Sequence, residues 1–107
     1  MPETKPKPTV HKLKVWPEFY EPISLGLKTF EIRVNDRNFQ MGDILVLRWF
    51  NPKTNSFSRT MKELNPSLPL YADEILEFPD LHRMVGFIKN IGDEMVVLSL
   101  LPLKERK

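Results

Sequence analysis

The sequence predicts a mainly β, α+β fold: a small, mostly antiparallel β-barrel with one or two short helices. Three observations carry that expectation. The chain has 107 residues, enough for one core and too few for two. Several short apolar or alternating segments are separated by Gly, Pro, Asn and Asp clusters. There is one early helix signal and no room for repeated strand–helix–strand units, so a barrel with a helix on its side is the economical solution.

Residues 1–9 are rich in proline and lysine and read as a disordered basic arm; residues 10–103 form a single domain, and residues 104–107 a charged tail. In the first strand Leu13 and Val15 alternate with Lys12 and Lys14, the period of a half-buried strand. Pro17 then suits the first position of a helix, and Glu18 and Glu21 complement its N-terminal dipole. Phe19, Ile23 and Tyr20 would supply the buried stripe. Pro22 opposes the Glu18 carbonyl, so the helix is expected to be kinked or split before ending at Gly26, a natural C′ residue.

Lys28 to Val34 alternates as the next strand, and Asn35 to Asn38 is turn chemistry. Gly42-Asp43 makes a second turn before Ile44 to Phe50, whose near-continuous apolar run predicts a strand covered on both faces. Asn51 to Asn55 is a hairpin-like connection into a polar, edge-like strand over 56–63. Residues 65–70 read as loop, and Tyr71 to Phe78 as two helical turns before Pro79. Two strands, His82 to Ile91 and Met95 to Leu100, close the domain around Gly92-Asp93-Glu94. The total is five or six strands and one early helix.

The absence of cysteine excludes disulfides, thiolate catalysis, iron–sulfur clusters and Cys-based zinc sites. His11 and His82 lie far apart in sequence, so no metal and no cofactor is expected. Met95 to Leu103 is half the length a bilayer needs, and no hydrophobic leader opens the chain, so the expected location is cytoplasmic, away from membranes. Net charge is +2, but residues 1–62 carry eleven lysines and arginines against six acids, and residues 63–107 five against eight. A basic half of this kind suits an anionic partner, while on charge alone a mixed solvated surface is the simpler explanation.

Walker loops, dinucleotide-binding glycine fingerprints and Gly-x-Ser-x-Gly elbows are absent. The stretch from Gly26 to Arg37 stands out instead. In a regular strand Glu31 and Arg33 share a face, while the direction of Lys28 is set by the turn after Gly26, so all three can converge on one cleft. There Lys28 and Arg33 would hold an anion or a carbonyl, and Glu31 would orient them or transfer a proton; Lys28 and Glu31 are the catalytic candidates. The alternative is an exposed Glu–Arg pair on the outer face of a strand. Arg37 and Arg48 are candidate phosphate contacts. Trp49, Phe50 and Phe57 are candidate base-stacking residues, with core packing as the alternative. Asp36 is expected to cap its own turn, and His82 to be an ordinary strand residue.

Gly26-x-Lys28-x-x-Glu31-x-Arg33 resembles the signature of the ASCH domain family, a branch of the PUA-like barrels. The wider stretch over residues 11–50 is similar to small bacterial and phage ASCH-like proteins of undefined function; beyond it only the two closing strands fit. The resemblance implies a PUA/ASCH-like barrel that binds RNA or a nucleotide-like ligand in a cleft lined by Lys28, Glu31 and Arg33. Some relatives are amidohydrolases acting on a modified cytidine, or nucleases. The amidohydrolases have a threonine where this chain has Glu31, which separates it from their chemistry. If the protein is an enzyme, the expectation is a metal-independent hydrolase using Lys28; a third reading is a phage or host protein-interaction module. A pure ligand site further predicts that Lys28→Ala and Arg33→Ala lower affinity and spare stability.

Overall fold

The structure, a computed structural model, describes residues 7–69 and 74–103. Most of the predicted basic arm and all of the charged tail lie outside the described residues. Thr9, assigned to that arm, is already bound: its N–H donates to Asp43 Oδ1 at 3.2 Å and its carbonyl accepts from Ile44 N at 2.9 Å.

Strand β1 (Val10–Val15) follows its alternation, with His11, Leu13 and Val15 buried and Val10, Lys12 and Lys14 exposed. Helix α1 (Pro17–Ser24) begins with proline in its first turn, and the Trp16 carbonyl accepts from the Phe19 and Tyr20 N–H groups. The helix is not split: α1 continues through Pro22. Proline there forfeits the bond to the Glu18 carbonyl, a residue on the exposed side of the helix and open to solvent.

Strands β2 (Phe30–Val34) and β3 (Ile44–Trp49) follow, then β4 (Ser58–Thr60), helix α2 (Met61–Leu64), β5 (Ile75–Glu77), β6 (Leu81–Gly92) and β7 (Met95–Pro102). The fold is thus mainly β with two short helices, and its principal five-stranded sheet, in the order β1-β3-β6-β7-β2, curls into a half-barrel. Pairing is antiparallel except between β1 and β3. The intervening α1 and β2 form a connection long enough to return the chain in the same direction. Positive φ at Asp93 (50°) and Glu94 (60°) makes the β6–β7 link a two-residue type I′ turn, the geometry that matches strand twist.

Two local expectations change. The polar strand expected over 56–63 is only β4, because the Thr60 side chain accepts from Glu63 N and starts α2 there. The helix expected over Tyr71–Phe78 gives way to β5, which pairs antiparallel with β4 and forms a separate two-stranded sheet; residues 71–73 lie outside the described residues.

The concave side of the sheet is filled by Leu13, Val15, Leu45, Leu47, Val85, Val96 and Leu98, and α1 adds Tyr20 and Ile23. Trp49 stacks on Phe78 at 4.5 Å between centroids, and Tyr20 meets Phe78 edge-on. Burial pushes the Tyr20 phenol above its ordinary pKa, with Asp80 adding to the shift and Arg83 opposing it; its hydroxyl donates to the Pro79 carbonyl. Asp43, fully buried, gathers Thr9 N, Gln40 N (3.0 Å) and His11 Nε2 (2.9 Å), pinning the start of β1 to the turn before β3.

Candidate functional site

The end of α1 positions the first site residue. Gly26 takes φ 77°, its N–H donates to Ile23 O at 3.1 Å, and Leu27 N donates to Pro22 O at 2.8 Å: a Schellman cap with glycine at C′. Lys28 N also donates to Pro22 O at 3.0 Å. The lysine is therefore tied to the helix end before the strand begins.

In β2 the polar side of the alternation faces inward. Glu31 is only 5% exposed, whereas Phe30, Ile32 and Val34 are 43–50% exposed. The exposed Glu–Arg pair considered above is thereby ruled out. Glu31 is clamped at both oxygens: Lys28 Nζ donates to Oε1 at 2.8 Å, and Arg33 Nε to Oε2 at 2.9 Å. Lys28 Nζ also donates to Phe30 O at 2.8 Å and lies near the Phe19 and Phe30 rings, 5.3 and 4.9 Å from their centroids. A buried carboxylate is tolerated here because both lone-pair directions meet cations.

The same residues close the open side of the half-barrel. Strands β1 and β2 end the five-stranded order and are not paired with each other. Bonds from Ile44 N to Thr9 O and from Phe50 N to Val15 O show that odd-numbered residues of β1 face β3. The carbonyls of Lys12 and Lys14 therefore point across the seam. Arg33 Nη2 donates to Lys14 O at 2.6 Å, and Arg37 Nη1 to Lys12 O at 3.1 Å. Two guanidinium groups thus stand in for the missing strand pairing and blunt an edge that would otherwise template aggregation.

Beside this clasp lies a groove of about 820 Å³ lined by Lys28, Arg33 and Arg37 together with Glu31 and Asp36, three cations against two acids; Lys14 also lines it but holds its ammonium over the Phe50 ring. Trp16, Phe19 and Phe30 are also on its wall, and they are 49%, 41% and 43% exposed. Among the described residues Lys28 uses two of its three N–H groups and Arg33 two of its five. Donors therefore remain for a ligand. A second cavity, about 720 Å³, lies near the end of α1, where Arg83 Nη2 donates to Ile23 O at 3.1 Å.

Lys28, Glu31, Arg33 and Arg37 thus come together as the sequence suggests; Arg48 stands apart. It lies on β3 outside the groove lining, pairs with Asp80 at 3.5 Å and sits 4.4 Å over the Phe57 ring. Trp49 and Phe50 are buried, so the core reading of those aromatics holds, while Phe57 is partly open. Of the exposed rings at the groove, Phe19 was expected in the buried stripe of α1 but only Tyr20 and Ile23 are buried there, and Phe30 was missed because apolar alternation marks a period without saying which side faces the core. The turn after β2 is capped by Asn35, whose Oδ1 accepts from Phe39 N at 3.2 Å; Asp36 instead lies exposed beside Arg37. His82 is an exposed strand residue paired with Val46.

Lys28 and Glu31 are in contact, so distance does not forbid joint proton transfer, but both Glu31 oxygens are committed to cations. Among the described residues no three His, Asp or Glu side chains gather to hold a metal ion, and no helix is long and apolar enough to cross a membrane.

No curated protein matches the sequence. A family model described as a domain of unknown function, DUF3850, matches residues 10–65, just over half of the chain, a span that contains both seam strands, α1 and every residue of the clasp. The chain belongs to this family, DUF3850.

Proposed function

We propose that the seam groove binds RNA or a nucleotide-like ligand. The observation that carries this reading is the coincidence of unspent cationic donors with exposed aromatic faces on one groove wall. Phosphate oxygens pair with guanidinium and ammonium groups, and bases stack on aromatic rings; a nucleotide needs both within one molecule's reach. The likeness of the Gly26-x-Lys28-x-x-Glu31-x-Arg33 stretch to the ASCH motif supports the same class of ligand, and a cytoplasmic setting suits it.

Arg37 gives the cleanest test because its side chain is 45% exposed and, among the described residues, its only carbonyl contact is Lys12 O. Arg37→Ala is expected to weaken binding of single-stranded RNA roughly tenfold, as loss of one charge-assisted contact does. The slope of log affinity against log salt should become shallower by about 0.7. Thermal stability should change by less than about 0.5 kcal/mol, the usual range for an exposed substitution. Unchanged affinity in fluorescence anisotropy at matched salt would remove the groove as the binding site.

The contact between Lys28 Nζ and Glu31 Oε1 favours a second reading, a metal-independent hydrolase acting on an acylated nucleoside in the same groove. It requires Glu31 to exchange a cation for a substrate proton. Binding without turnover asks nothing of the clasp, which is why it is the primary reading.

A further inference from the structure

Lys14 belongs to two surfaces. Its backbone carbonyl holds Arg33 at the groove, while its ammonium lies 4.4 Å from the Phe50 centroid and 5.8 Å from that of Phe57 on the opposite side of β1. The β1–β3 register pairs Lys12 with Val46 and Lys14 with Arg48, so Lys12, Lys14 and Arg48 share the convex face, opposite the buried Leu13, Val15 and Leu47. Phe57, 38% exposed, is stacked beneath Arg48 and beside Phe50, which adds a flat surface among the cations.

Among the described residues Asp80 is the only carboxylate paired with these three cations, through contacts that are about two-fifths exposed on both sides. Such a pair is worth little and is readily exchanged. Lys12 and Lys14 are two residues apart along one strand, roughly 6.6 Å. That spacing is comparable with the step between successive phosphates of an extended single strand.

We infer that the bound chain does not end in the groove: it crosses β1 at Lys14 and continues over the convex face along Lys12, Arg48 and Phe57. The inference rests on the groove reading and deepens it, because it makes the ligand a single-stranded RNA of several nucleotides and not a free nucleotide. The groove takes one end, with phosphate on Arg37 and a base against the exposed rings. The convex face adds phosphate contacts and a stack on the Arg48–Phe57 pair, an interaction indifferent to base identity.

The test uses the full chain with labelled oligouridylates of two, four and eight nucleotides at fixed salt. Wild-type protein should bind the eight-nucleotide probe at least about tenfold more tightly than the dinucleotide. The double variant Lys12→Gln/Arg48→Gln, which keeps the side-chain stems, should bind the dinucleotide as wild type does and lose most of the gain with length. Its salt slope for the longest probe should be shallower by about 1.4, for two lost contacts on a single strand. Arg37→Ala should weaken all three probes alike. Length-independent wild-type binding, or a double variant with the full gain, overturns the convex track and leaves the groove reading standing. Wild-type protein that binds none of the probes overturns both.

Discussion

Replacing Glu31 with alanine is expected to cost the fold about 2–4 kcal/mol, although the residue lines the proposed ligand groove. The carboxylate is 5% exposed and accepts from Lys28 Nζ at one oxygen and Arg33 Nε at the other. Removing it leaves two cations facing each other without their shared counter-ion. Breaking a fully buried pair costs about 3–5 kcal/mol. Here the Lys28 and Arg33 side chains are 19% and 26% exposed, so water partly solvates the orphaned charges and the lower range applies. For a domain of this size that loss lowers Tm by about 10–20 °C. Glu31→Gln should fall between wild type and alanine, because the amide keeps one acceptor and turns a donor toward a cation. Thermal and urea denaturation measure it, and a loss below about 1 kcal/mol would show that the clamp contributes little to folding.

The second large effect falls on Arg33, whose substitution should lower stability and ligand affinity together. Its guanidinium donates Nε to Glu31 and Nη2 to the Lys14 carbonyl, so it orients the buried carboxylate and bridges β1 to β2. Arg33→Ala is expected to destabilise by about 2–3 kcal/mol, the range for hydrogen bonds to charged groups when a partly buried acceptor is left behind. Arg33→Lys should recover less than half of that, since one ammonium cannot reproduce a fork that reaches two acceptors in different directions. Affinity for single-stranded RNA should fall at least tenfold in both variants. This geometry corrects the simpler expectation that motif cations can be removed without affecting stability. That expectation now applies to Arg37 and not to Arg33. A stable Arg33→Ala protein with lost affinity would mean that the seam does not depend on the clasp.

How much of this was legible in the sequence depends on the range of the interaction involved. Pro17, Gly26 and the apolar run of β3 act through their own backbone or their immediate neighbours, and each sits where local rules place it. The type I′ turn at Asp93-Glu94 was equally local. The facing of β2 was not. Phe30, Ile32 and Val34 alternate with Thr29, Glu31 and Arg33 whichever set points inward. The choice is made by the Lys28 and Arg33 counter-charges and by carbonyls of β1 nineteen or more residues away in the chain. The His11–Asp43 pair, 32 residues apart, was hidden for the same reason. Strand β5 was mistaken for helix because its partner β4 is three polar residues that carry no periodic signal.

The motif at Lys28, Glu31 and Arg33 was thus visible as a cluster, but its double role was not. Sequence spacing shows which side chains converge. It does not show that Arg33, together with Arg37, also spans the gap between edge strands. The consequence for the proposed function is specific: the wall that would contact ligand is the wall that closes the half-barrel, so ligand binding there would be linked to local rigidity through Arg33 and Lys14.

The most direct test of the groove as a nucleotide site is an amide and arginine side-chain chemical-shift titration of the protein with UMP. The largest changes are expected on Trp16, Phe19, Lys28 to Arg33 and Arg37, including the Nε–H resonances of Arg33 and Arg37. Changes confined to the second cavity around Ser24, His82 and Arg83, or no change at millimolar UMP, would contradict it.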